Sequence, residues 1–203
     1  TFDENKINAW FANSELAMWG SLRPQVVMWI LFEEGLERRV VSEIEPHLLV
    51  NTVKAFSANR GLPIVIPLMD LDDSVNITIP DLWGRFYTPI NRASKRYQAE
   101  ATVVVRVSDI SSTRLAMHES QSCAPICKKH YQLDWQFIEE EGSEIVGNRF
   151  QGSELNQLML QALTELTDRI YQNYAINVNA EQTLLVNVQE ANKLAETIKV
   201  SDY

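Results

Sequence analysis

Leu62–Trp83, LPIVIPLMDLDDSVNITIPDLW, is the stretch on which the reading of this chain turns. An apolar run from Leu62 to Met69 ends abruptly in three carboxylates, Asp70, Asp72 and Asp73. Near-continuous apolar character followed by acidic, turn-forming residues predicts a buried strand that leaves a sheet into an acidic loop. In α/β proteins the loops at the carboxyl ends of strands are where ligands collect.

Upstream, Gln25–Phe32 is too apolar on both faces for an exposed edge and predicts a second buried strand. Glu33-Glu34-Gly35 supplies turn residues and Glu37–Val41 the return strand of a hairpin. Pro46 suits the first position of a helix, Leu49, Val53 and Phe56 give it a buried stripe, and Gly61 can end it in the left-handed conformation. His47 then falls in the first turn, where an exposed histidine is commonplace.

Downstream, Thr78–Pro80 starts a helix around Leu82, Trp83 and Phe86, and Thr88-Pro89 starts another with Ile90, Ala93 and Tyr97 on one face. Ala101–Val107, ATVVVRV, predicts a strand at the sheet centre. His130–Ile138 alternates, with Tyr131, Leu133, Trp135 and Phe137 towards a core and Gln132, Asp134 and Gln136 towards water. Glu141-Gly142 turns it into Glu144–Phe150. Ser153–Tyr174 is a long amphipathic helix with Ser153 as its cap and Leu155, Leu158, Met159, Ala162, Leu163 and Leu166 along one stripe. These elements imply an α/β fold: a mixed, mostly antiparallel sheet of about five to seven strands with helices packed on both faces.

The expected organisation is a main α/β domain over 21–178. Residues 1–20, with Ile7, Trp10 and Phe11 at helical spacing, read as a lead-in left from a preceding segment. Residues 179–203 combine the strand-like TLLVNV with Ala191, Leu194, Ala195 and Ile198 at helical spacing, and read as the start of a truncated following unit. The sequence opens at Thr1 with no initiator Met or apolar leader, which suggests a trimmed piece that carries no address of its own.

Of 203 residues, 45% are hydrophobic and 22% charged, an ordinary globular balance with no apolar run long enough for a membrane span. The net charge of −9 disfavours nucleic acid and anionic membrane surfaces, and Arg92, Lys95 and Arg96 read as a solvated helix face. No catalytic set is legible: there is no G-x-S-x-G turn, and the seven glycines are dispersed at turns rather than gathered in a phosphate loop. No cofactor is implied.

Asp70, Asp72 and Asp73 could hold Mg²⁺ or Ca²⁺, with Trp83 and Arg85 nearby, although the glycine and distal glutamate of a calcium loop are missing. The plainer reading is that these carboxylates solvate the turn and cap the next helix, for which Asn76, Thr78 and Asp81 are also available. Trp29, Trp83 and Trp135 lie in apolar-periodic contexts that suit a core. Cys123 and Cys127 can close a small disulfide in an oxidising compartment, or stay free; with His118 and His130 they give no standard zinc spacing.

The segments WGSLRPQVVMWILFEEG (Trp19–Gly35), ANRGLPIVIPLMDLDD (Ala58–Asp73), DLWGRF (Asp81–Phe86) and ASKRYQAEATVVVRV (Ala93–Val107) resemble a Gram-negative envelope family known as domain of unknown function 2066. The resemblance spans Ile7–Tyr174 and implies a periplasmic or envelope-associated protein, with no catalytic residues to carry over. The order of elements is also similar to small envelope-lipoprotein domains and the N-terminal domain of TolB, which bind protein partners. The expectation is therefore a non-enzymatic interaction or scaffold module with an envelope protein as partner. The alternative is a small-ligand or divalent-cation site in the acidic loop.

Overall fold

The structure, a computed structural model, describes residues 24–111 and 129–172. Cys123, Cys127 and His118, the lead-in 1–20 and the segment 179–203 lie outside the described residues. By its contacts the chain divides into two compact units, Thr1–Glu165 and Leu166–Tyr203. The second is described only over 166–172, which is helical.

In the first unit, strand β1 (Val26–Glu34) forms the spine, and from Val26 to Leu31 its residues are fully buried. A strand with no exposed face needs partners on both edges and cover on both sides. Along one edge β4 (Ala101–Asp109) runs parallel to it, from Val26 opposite Ala101 to Glu33 opposite Ser108. The other edge is shared. β3 (Ile64–Val65) pairs in parallel with Val26 and Val27, and β2 (Glu37–Val40) pairs antiparallel with Leu31–Glu34. Gly35-Leu36 is the two-residue hairpin loop, and Gly35 takes φ +65°, a conformation that glycine adopts without a Cβ penalty.

That sharing corrects the first expectation. The run Leu62–Met69 is not an interior strand along its length; it pairs for two residues only. Beyond them the edge of β1 passes to the hairpin, where the Val41 N–H donates to the Ile30 carbonyl at 2.8 Å. The displaced segment is held outside it, Pro67 O accepting from Glu43 N–H at 3.0 Å and Leu68 O from the Ser42 hydroxyl at 2.6 Å. Pro63 and Pro67 have no N–H to give a ladder. Leu62 and Ile66 still enter the core, while Ile64 and Val65 are half-buried.

β5 (Tyr131–Phe137) and β6 (Gly147–Gly152) extend the sheet antiparallel beyond β4, giving a six-stranded mixed sheet in the order β2-β1-β4-β5-β6 with β3 beside β1. This is the expected α/β class. The last strand begins at Gly147 rather than Glu144, and a Cβ at Gly147 would collide with the Trp135 carbonyl, so only glycine lets β6 approach β5 there.

Helix α1 (Leu48–Arg60) covers the side of β1 that carries Phe32, whose ring meets His47 edge-on at 5.5 Å. His47 rather than Pro46 sets its start: the residue is an extended N-cap whose Nδ1 accepts from the Leu49 N–H at 3.1 Å. Gly61, at φ +66°, ends it as expected. The opposite side is covered by α2 (Leu71–Asn76), α3 (Ile79–Gly84) and α4 (Tyr87–Ser94), followed by a 3₁₀ turn at Lys95–Tyr97. There Val27, Trp29 and Leu31 pack with Ile77, Leu82, Ile90, Ala93 and Val104. The Trp29 indole donates to the Ser94 hydroxyl at 3.0 Å inside this core. A last helix, α5, starts at residue 155; the Glu154 carbonyl, not Ser153, takes the Gln157 and Leu158 N–H groups.

Candidate functional site

The acidic loop is tightly committed within the fold. Asp70 is the N-cap of α2, its Oδ1 accepting from the Asp73 N–H at 3.1 Å, and both its oxygens accept from Arg96 at 2.6 Å. The Arg96 guanidinium holds the Asp70 carboxyl down at about 2. Asp73 is only 1% exposed and accepts from the Met69 N–H at 2.9 Å, Arg96 at 3.1 Å and the Tyr97 hydroxyl at 2.5 Å. Asp72 is exposed, and its carbonyl accepts from Asn76. Of the two readings of this loop, the geometry gives Asp70 and Asp73 the capping role. Among the described residues, no three His, Cys, Asp or Glu side chains are placed to hold a metal ion. Arg96 is correspondingly an internal ion-pair partner and not part of a free basic face.

Trp83 and Arg85 belong elsewhere, to a cluster on the sheet face beside α3. The pairing register lines up Val40, Leu31, Arg106, Asp134 and Arg149 across β2, β1, β4, β5 and β6. Side chains two residues further along the strands form the next row: Arg38, Glu33, Ser108, Gln132 and Gln151. Each row runs from the hairpin towards a polar end at β6. Asp134, 7% exposed, accepts from Arg85 on Oδ1 and from Arg106 on both oxygens, at 3.0 and 3.3 Å. Arg149 Nε stands 4.0 Å from its Oδ2. Arg106 also donates to the Trp83 carbonyl at 2.9 Å, and Arg85 to Gln136 at 3.0 Å.

Arg85 reaches this position because α3 stops there. Thr78 and Asp81 form a reciprocal capping box at its start, and Arg85 closes it in the left-handed conformation at φ +56°. A non-glycine residue is strained there, and its bonds to Asp134 and Gln136 hold it in place. Burial pushes the Arg85 guanidinium below its ordinary range; Asp134 opposes that shift and Arg106 and Arg149 add to it. The Trp83 ring is flanked by Arg38 at 4.2 Å and Arg106 at 5.3 Å, close enough for cation–π attraction. Trp83 is thus half in the core and half a platform between guanidiniums.

From sequence, Trp83 and Arg85 are expected beside the acidic loop rather than in this cluster, and Arg106, Asp134 and Arg149 give no such expectation. In the sequence Asp134 falls on the water-facing phase of an alternating strand, and Arg106 sits inside an apolar run. The signal available was a charge inside each of two central strands, since a buried charge needs a partner. Shallow depressions lie elsewhere among the described residues. One of about 540 Å³ involves Phe56, Asn59, Arg60 and Leu160, and one of about 390 Å³ involves Tyr87, Asn91, Glu100, Phe137 and Glu139. Neither gathers opposite charges on one point as Asp134 does.

Chemically, the cluster can hold and orient an anion. Guanidiniums stay protonated at neutral pH and present donors in a planar fork. No protein-family model matches this chain, no curated protein matches it in sequence, and no solved structure matches it in fold.

Proposed function

We propose that this chain is a non-enzymatic recognition module of the Gram-negative cell envelope, periplasmic or envelope-associated, that binds a protein partner. One observation carries the reading: the charges that converge on the buried Asp134 are partly buried guanidiniums, a set built to bind rather than to move protons. They open onto a polar sheet face, with Gln151 and Arg149 exposed at its margin. The envelope location rests on the family resemblance of Trp19–Gly35, Ala58–Asp73, Asp81–Phe86 and Ala93–Val107. The likeness to TolB-type and envelope-lipoprotein domains rests on element order alone and belongs to the same proposal.

The test is a photo-crosslinking residue introduced at Gln151 of the full-length protein in living cells, followed by cell fractionation. A discrete crosslinked partner in the envelope fraction is the expected result. The same residue at Asn59, exposed on α1, serves as the control. Recovery of the protein in the cytosol, or identical crosslinks from both positions, would sink the reading.

A further inference from the structure

Resting on that reading, we propose that the partner docks through an acidic peptide segment, one of whose carboxylates pairs with Arg149 over the polar row Ser108, Gln132 and Gln151. Charge is the first argument. Among the described residues, Arg38, Arg85, Arg106 and Arg149 gather here around two carboxylates, Glu33 and Asp134. The chain as a whole carries −9, so this face has a field opposite in sign to the molecule's average. An acidic partner is attracted at this face and repelled over most of the remaining surface, which fixes its orientation on approach.

Stoichiometry is the second argument. Both oxygens of Asp134 are engaged by Arg85 and Arg106, and one carboxylate cannot neutralise three guanidiniums. Arg149 is the one left over. Its side chain is 60% exposed and lies 4.0 Å from Asp134, beyond hydrogen-bonding range. It can turn outward without breaking a bond to Asp134.

Chemical precedent within the fold is the third. Arg85 and Arg106 already bind a carboxylate, and Arg149 stands beside them with the same fork of donors. The neighbouring row supplies side-chain amides, Gln151 donating to Gln132 at 3.0 Å, that can turn to peptide groups of a docked segment. A single available guanidinium flanked by neutral amides suits a carboxylate on a peptide.

Two synthetic peptides, one with alternating glutamates and its glutamine counterpart, should be titrated into the protein by calorimetry and by NMR of the arginine side chains. The glutamate peptide should bind, move the Arg149 Nε signal and weaken as salt is raised. Arg149→Glu should weaken it about tenfold or more, while Arg92→Gln, on the exposed surface of α4, should not. Equal binding of both peptides, no effect of Arg149→Glu, or inorganic phosphate moving the Arg149 signal where the glutamate peptide does not would overturn the proposal. A partner crosslinked at Gln151 alongside an inert glutamate peptide removes the acidic chemistry and leaves the module reading standing. Specific peptide binding without any cellular crosslink supports the site and removes the module reading instead.

Discussion

The Tyr97 hydroxyl donates to the Asp73 carboxylate at 2.5 Å while accepting the Leu68 N–H at 3.0 Å. One phenol thereby ties the 3₁₀ turn after α4 to both sides of the acidic loop. Next to it Arg96 grips Asp70 and Asp73 together. The loop is a clasp, and its carboxylates should behave unequally when neutralised.

Asp73→Asn should cost about 2–3 kcal/mol, because it weakens three bonds to a buried charge and turns one acceptor into a donor. Asp72→Asn, at an exposed position, should stay within about 0.5 kcal/mol. Urea unfolding of the two variants decides the matter. Similar small losses would return Asp73 to the candidate ligand-binding residues.

Asp70 gives a pH signature. Its folded carboxyl titrates near 2 against an ordinary 3.8, so its contribution is present above the ordinary value and is lost as pH falls through about 2. Acid unfolding between those limits should therefore be shallower in Arg96→Gln, which removes the cause of the shift. Direct NMR titration of the Asp70 carboxyl carbon provides the check, and an unshifted curve in the wild type would refute it.

His47 predicts a second window, nearer neutrality. Burial depresses its pKa below 6.5, with Glu45 opposing and Arg39 adding to the shift. Its neutral Nδ1 is the acceptor that caps α1, so stability should be full above 6.5 and decline as pH falls through the lowered folded value. His47→Asn should keep the cap and lose the pH dependence, whereas His47→Ala should cost about 1 kcal/mol even at neutral pH. Thermal melts of the three proteins across this range separate these outcomes.

Asp134 and Arg149 should also part company. Removing the carboxylate in Asp134→Ala leaves Arg85 and Arg106 partly buried without their shared partner and should cost about 3–5 kcal/mol. Arg149→Gln should cost less than about 1 kcal/mol, since that side chain is mostly in solvent. Chemical denaturation of both variants measures the contrast. A costly Arg149→Gln would mean that this arginine is structural and not free to engage a partner.

The sheet was readable where one local rule governed. Val26–Leu31 and Val103–Val105 are apolar without break and proved to be the two parallel strands at its centre. Gly35, Gly61 and Thr78 marked turns and helix ends through chemistry that needs no tertiary context. The run Leu62–Met69 misled because its fate depends on distant residues, Val41, which takes the edge of β1, and Glu43, which holds Pro67 outside it. The candidate site was half legible for the same reason: Trp83 and Arg85 are neighbours in sequence, but Arg106, Asp134 and Arg149 meet only through strand register.

The cross-strand pair of Arg106 and Asp134 also bears on folding fidelity. β4 is valine-rich on both faces, so apolar packing alone discriminates poorly between neighbouring alignments of β5 against it. A one-residue slip would turn Asp134 to the opposite face, among the partners of Val105 and Trp135, and strand Arg106 without its carboxylate. Each charge would then be desolvated alone, a penalty of several kcal/mol that the correct alignment avoids. The pair works as a proofreading device for the sheet, penalising the misaligned chain far more than it favours the aligned one.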